Sequence, residues 1–140
     1  MGDFYKDFVT ALYVAVYERA PDKDGLSFWT QQLEQGQTYE FVASNFIQHP
    51  VFIQHYNHLS NAEKVQAFYS NMLGAAGDQN GIDYWTNELN NGVSLSQVLS
   101  SFLYSSLTPL NRDDFSNLSD AEWLLAEQRQ LTLFNKVVIG

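Results

Sequence analysis

The residues best suited to chemistry lie in two stretches that echo one another. "PDKDGLSFWTQQLEQG", Pro21 to Gly36, and "GDQNGIDYWTNELNNG", Gly77 to Gly92, both set acidic or amide side chains ahead of a glycine and a tryptophan. Asp22 and Asp24 before Gly25, and Asp78 and Asn80 before Gly81, supply oxygens of the kind that open a calcium loop. Placing Gly25 at the glycine such a loop requires puts Ala20 at the first ligand position and Gln31 at the last. The second copy offers Ala76 and Asn87 there. Two anchoring carboxylates are therefore missing from each copy. The expected role of Asp22 or Asp24 is instead to accept N–H bonds at the start of a helix and to complement its positive end.

Aromatic residues suggest a second chemistry, the stacking of flat rings on sugars. Trp29 and Trp85 each share a three-and-four stripe with Leu26 and Leu33, or Ile82 and Leu89, so both tryptophans are expected in the core. Exposed tyrosines with polar neighbours, Tyr39, Tyr56 and Tyr104, are the expected carbohydrate platform. His49, His55 and His58 cluster in "QHPVFIQHYNH"; His55 and His58 are three apart, a spacing that could share a helical face and suit zinc, but the segment holds no carboxylate. There is no nucleophile elbow, no phosphate-cradling glycine loop and no His-Glu-x-x-His. Acidic pairs such as Asp113-Asp114 read as solvated loop charges, so no catalytic residue and no cofactor is expected.

Composition narrows the partners. Seven Lys and Arg against sixteen Asp and Glu give a formal charge of −9, a field that repels phosphate backbones and anionic lipid. Nucleic acid is excluded as an expected partner. No apolar run approaches the roughly 18 residues that cross a bilayer, so no membrane insertion is expected. There is no cysteine, hence neither a disulfide nor a thiolate site. The start, Met1-Gly2-Asp3-Phe4, has no basic and apolar leader pattern, so no N-terminal signal peptide is expected.

The elements that must carry these residues come from an internal duplication. Residues 8–52 laid over 64–108 at a constant offset of 56 share thirteen identities in forty-five positions. Tyr13, Asp22, Gly25, Trp29, Leu33, Gly36 and Phe46 meet Tyr69, Asp78, Gly81, Trp85, Leu89, Gly92 and Phe102. The apolar spacing within each unit is helical: Phe4, Phe8, Leu12 and Val16 mark a first helix with Asp3 as its cap, Leu26, Trp29 and Leu33 a second, and Val42 and Phe46 a third capped by Thr38. Gly36 should stop the second helix in the left-handed conformation. Ser60-Asn61-Ala62-Glu63, Ser94-Leu95-Ser96-Gln97 and Ser119-Asp120-Ala121-Glu122 read as capping boxes. The expectation is an all-α fold of about seven helices, two tandem three-helix units plus a C-terminal helix around one core. The 140 residues then form a single helical domain, with unit 1 over about 3–58, unit 2 over about 60–108, a loop-like 106–118 and a last helix over about 119–136.

With Arg19, Pro21, Asp22, Gly25, Trp29, Leu33 and Gly36 in place, the first unit resembles a bacterial family of domains of unknown function. Its hallmark is Tyr…Arg-x-Pro-Asp-x-x-Gly-x-x-x-Trp-x-x-x-Leu-x-x-Gly. The second unit keeps Asp78, Gly81, Trp85 and Gly92 but has Ala75 and Gly77 where the arginine and proline belong. The resemblance implies an exported protein of the repeat-in-toxin, adhesin or S-layer kind, secreted or at the bacterial cell surface without an N-terminal signal peptide. It also implies that the terminal "FNKVVIG" leads on into a further helix. The expected function is a non-catalytic attachment or assembly module that holds a cell-surface polysaccharide or lipopolysaccharide, or docks another domain of the same surface protein, in a groove between the units. The alternative is a structural spacer or folding cap in a larger adhesin or toxin. A calcium-binding role through Asp22, Asp24, Asp78 and Asn80 is the less favoured option.

Overall fold

The computed structural model describes residues 2–73, 79–107, 117–125 and 128. Among these it contains seven helices, α1 (Gly2–Tyr17), α2 (Lys23–Glu34), α3 (Tyr39–Ile47), α4 (Pro50–Tyr56), α5 (Asn61–Leu73), α6 (Gln79–Asn90) and α7 (Leu95–Leu107). Residues 120–125 are also helical, and no described residue is in a strand. The all-α reading from apolar periodicity holds.

Helix α1 is apolar nearly all round, and it lies at the centre. Phe8, Val9, Ala11, Leu12, Ala15 and Val16 are fully or almost fully buried, as expected of a helix surrounded by others. It packs on α2, α3, α4, α5 and α7. Counterpart helices of the two units also meet, α1 with α5 and α3 with α7. The two copies therefore share one core, in which Leu12, Val42, Phe46, Phe68, Met72, Leu99 and Leu103 join a single buried cluster.

Helix boundaries follow the local grammar of the sequence. Helix α2 ends in a left-handed glycine, Gly36 at φ 99°, with Gly36 N–H donating to Leu33 C=O at 3.1 Å and Gln37 N–H to Gln32 C=O at 3.0 Å. Helix α6 ends the same way: Gly92 has φ 96°, its N–H donates to Leu89 C=O at 3.1 Å, and Val93 N–H donates to Glu88 C=O at 3.0 Å. This double bond is the Schellman arrangement, which satisfies two carbonyls the helix leaves unpaired. Ser60 and Glu63 form a reciprocal box, Glu63 N–H to Ser60 Oγ at 3.2 Å and Ser60 N–H to Glu63 Oε1 at 2.9 Å. The Ser60 backbone N–H first, and the Ser60 side chain second, hold the Glu63 carboxyl below its ordinary range. Ser119 and Glu122 repeat the pattern at 3.2 and 3.0 Å. Ser94 caps α7 through Gln97 N–H at 3.1 Å, but the Gln97 amide turns to Ser101 Oγ instead of closing the box.

Three expectations need correction. Asp3 lies inside α1, which begins at Gly2, and so is not the residue preceding that helix. The first unit has four helices where three were expected. Pro50 lacks an N–H and disfavours helical geometry at the residue before it; His49 accordingly takes φ −69°, ψ 140° and caps α4, with its Nδ1 accepting Val51 N–H at 3.1 Å. The equivalent of Pro50 is Ser106, and α7 runs through it unbroken. The break also separates His55, in the last turn of α4, from His58, which lies beyond the C-cap Asn57, so the two do not share a helical face. Asp113, Asp114 and most of the expected C-terminal helix lie outside the described residues.

Candidate functional site

In the first unit the repeated motif forms an interhelix lock. Asp22 caps α2, its Oδ1 accepting Gly25 N–H at 3.2 Å. Tyr13, on α1, brings its hydroxyl directly over Gly25, where a Cβ would collide with it. Trp29 packs on Phe46 of α3 at 5.4 Å between centroids, and the Tyr13 ring meets the same Phe46 edge-on at 5.0 Å. Desolvation, with the Asp22 charge behind it, raises the phenol's pKa, while the Arg19 charge works in the opposite direction. Thus four motif positions, Tyr13, Asp22, Gly25 and Trp29, are committed to joining α1 to α2. Asp24 is exposed in the first turn of α2, Asn80 is exposed at the start of α6, and Asp78 lies outside the described residues. Among the described residues, no group of three or more His, Asp or Glu side chains is arranged to hold a metal ion.

Both tryptophans lie half-buried against the core, as their stripes predicted, and each meets its preceding aromatic edge-on: Phe28 on Trp29 at 4.9 Å and Tyr84 on Trp85 at 4.8 Å. Of the three expected platform tyrosines, Tyr56 is misplaced. It is 4 % exposed, stacks on Phe52, and its hydroxyl accepts Asn71 Nδ2–H at 2.9 Å. Its ring faces inward because α4 closes over α1 and α5, a consequence of the Pro50 break.

Tyr39 and Tyr104 do come together. Their ring centroids are 5.4 Å apart on α3 and α7, in an open groove of about 380 Å³ at the seam between the two units. Tyr104 is 46 % exposed, and burial together with Tyr5 and Tyr104 raises the pKa of Tyr39. In the same lining, Glu40 lies 3.4 Å from both Ser94 Oγ and Ser96 Oγ, and Gln97 and Ser101 add an amide and a hydroxyl to the wall. The groove thus offers two aromatic faces beside a carboxylate, an amide and hydroxyls.

A second concavity, about 190 Å³, lies wholly within the first unit, against the outer side of the lock. Its walls are Tyr13, Tyr17, Trp29 and Phe46, and its polar groups are Arg19, Asn45 and His49. The Arg19 guanidinium lies 5.3 Å from the Tyr13 centroid and 5.9 Å from that of Tyr17, while His49 meets Tyr17 edge-on at 5.7 Å. Motif reading missed this site because its groups come from the end of α1, from α2, from α3 and from the α3–α4 corner. A readable signal existed in the differences between the copies: Tyr17, Arg19, Asn45 and His49 align with Leu73, Ala75, Ser101 and Ser105.

No curated protein and no solved structure matches the chain. One family model, described as a domain of unknown function, matches residues 4–42 and 43–106 in two consecutive hits, which together cover all but the last two residues of the duplicated stretches 8–52 and 64–108. With well over half of the 140 residues matched, the chain belongs to the family described as Domain of unknown function (DUF4214).

Proposed function

We propose that the protein is a non-catalytic attachment module of an exported bacterial surface protein, and that it holds a cell-surface polysaccharide in the groove between α3 and α7. The observation that carries this reading is the Tyr39–Tyr104 pair, 5.4 Å between centroids, beside Glu40, Gln97 and Ser101 at the seam of the duplication. Sugar rings present C–H faces that pack on aromatics and hydroxyls that need carboxylate, amide and hydroxyl partners, and this groove supplies both kinds of group. The acidity of the chain suits a neutral or cation-bridged glycan better than a nucleic acid. The test is a melting curve and co-sedimentation with purified surface polysaccharide from the strain that encodes the chain. Binding that disappears in Tyr104→Ala supports the groove. If the wild-type protein neither sediments with the polysaccharide nor changes its melting temperature, the reading fails.

A second reading, a spacer or folding cap between domains, is favoured by one observation. Phe28 and Tyr84 occupy equivalent positions in the two units and are 52 % and 56 % exposed, as are Leu124 and Leu125 at 55 % and 48 %. Flanking domains would cover such side chains. Under this reading, attaching the natural neighbouring segments raises the melting temperature of the domain, and no glycan does.

A further inference from the structure

We infer that the concavity of the first unit, walled by Tyr13, Tyr17, Trp29 and Phe46, binds a small carboxylate ligand with a flat ring body, of the uronic-acid class, through Arg19, Asn45 and His49. The site is separate from the α3–α7 groove, and the inference stands whether or not that groove binds glycan.

Three observations converge on it. The first is an internal comparison, because the duplication provides a second copy of the same scaffold. In unit 1 the lock residues line a space of about 190 Å³. The lock residues Tyr13, Trp29 and Phe46 are retained in both copies as Tyr69, Trp85 and Phe102. What differs is the set of groups around them. Tyr17, Arg19, Asn45 and His49 stand where unit 2 has an apolar or small residue.

The second observation is donor geometry. Arg19 makes only one hydrogen bond among the described residues, a long one of 3.5 Å to Ala20 C=O, so most of its five N–H groups face outward. His49 uses Nδ1 to accept Val51 N–H, which puts the proton of the neutral ring on Nε2 and makes that nitrogen a donor. Asn45 spends one amide hydrogen on Phe41 C=O at 2.9 Å and keeps the other. Tyr17 donates to Phe46 C=O at 3.0 Å, which anchors its ring as a wall. The concavity therefore presents donors above aromatic faces. Its complement is an anionic acceptor on a flat body, and a guanidinium fork matches a carboxylate in two parallel bonds.

The third is backbone. Glu18 adopts φ 57°, a left-handed conformation costly for a residue with a side chain. It turns the chain so that Arg19 folds back over Tyr13 and Tyr17. The second copy has Gly74 at this position, where the same turn would cost little. At about 190 Å³ the space is below the usual range for drug-sized ligands, roughly 300–1,000 Å³, and fits one ring.

The test is a nuclear magnetic resonance titration of the full chain with glucuronate, read at the Trp29 indole N–H and the Asn45 side-chain amide. Glucose serves as the uncharged analogue and benzoate as the flat carboxylate that is not a sugar. Saturable shifts with glucuronate, confined to unit 1 and weakened about tenfold or more in Arg19→Gln, are the expected result. Arg19→Lys should fall between the two, because it keeps the charge but loses the fork. Arg19 is exposed, and an unchanged melting temperature in both variants separates lost binding from lost fold. No shift with glucuronate overturns the inference, as does equal movement at Trp85 or an unaffected Arg19→Gln. Equal binding of glucose overturns the carboxylate assignment, and stronger binding of benzoate than glucuronate overturns the sugar class.

Discussion

The Tyr13 hydroxyl sits over Gly25 with no room for a side chain between them, and the Asp22 carboxylate that caps α2 closes the other side of the same glycine. A methyl group at Gly25 would displace a buried ring, a cap or both. Gly25→Ala should therefore destabilise the protein by about 2 kcal/mol, the usual cost of overpacking, although alanine is otherwise the better helix former. Chemical denaturation measures it. Combining Gly25→Ala with Tyr13→Phe should cost less than the sum of the single changes, because the second substitution removes the oxygen that the first collides with. Strict additivity would mean that the two residues are not in contact.

Glu18 presents the opposite case, a side chain where glycine would be easier. Its φ of 57° ends α1, and the second copy has Gly74 at the aligned position. Glu18→Gly should raise stability by about 1 kcal/mol, partly offset by the greater freedom glycine gives the unfolded chain. A higher denaturation midpoint with an unchanged slope would confirm it.

Asn71 joins three helices. Its Nδ2 donates to Ala15 C=O of α1 at 2.7 Å and to the Tyr56 hydroxyl of α4 at 2.9 Å. Asn71→Ala leaves both acceptors without this donor in a largely dry site and should cost about 2 kcal/mol. Tyr56→Phe should cost less, since it removes the acceptor of Asn71 and a long 3.5 Å hydroxyl bond to Ala15 C=O but keeps the 2.7 Å Asn71–Ala15 bond. If Tyr56→Phe proved the more damaging change, the carbonyl would not be the bond that matters.

How much of this was legible depended on the range of the interaction concerned. The Gly36 and Gly92 stops, the Ser60–Glu63 box and the buried Leu33 are set by neighbours within four residues, and type and spacing sufficed. The α3–α4 break was written in Pro50 but obscured by the apolar spacing on either side of it. The burial of Tyr56 and the pairing of Tyr39 with Tyr104 depend on which helix crosses which. No local pattern encodes that. The acidic corner was ambiguous for a different reason: a carboxylate just ahead of a glycine serves a helix cap and a calcium loop alike, and only the Asp22–Gly25 bond distinguishes them. The Arg19 concavity is harder still, since its walls are the retained residues and its polar groups the ones that differ between the copies.

Alkaline titration gives a last test of the aromatic wall. Burial, reinforced by Tyr13 and opposed by Arg19, raises the Tyr17 pKa from its ordinary value of 10.0 to about 12. The fold thus favours the protonated phenol, and the unfolded chain gives up that proton first. Stability from this group is whole below pH 10.0, falls as the unfolded tyrosine ionises, and levels off once the folded one ionises near 12. Tyr13, Tyr39 and Tyr56 are raised in the same direction, again chiefly by burial, and steepen the same limb. Tyr17→Phe should lower stability at neutral pH, through loss of the bond to Phe46 C=O, yet flatten the decline above pH 10.0. Denaturation midpoints followed across that window, with phenolate absorbance as the second readout, check both effects. An alkaline limb as steep in Tyr17→Phe as in the wild type would place the responsible proton on another residue.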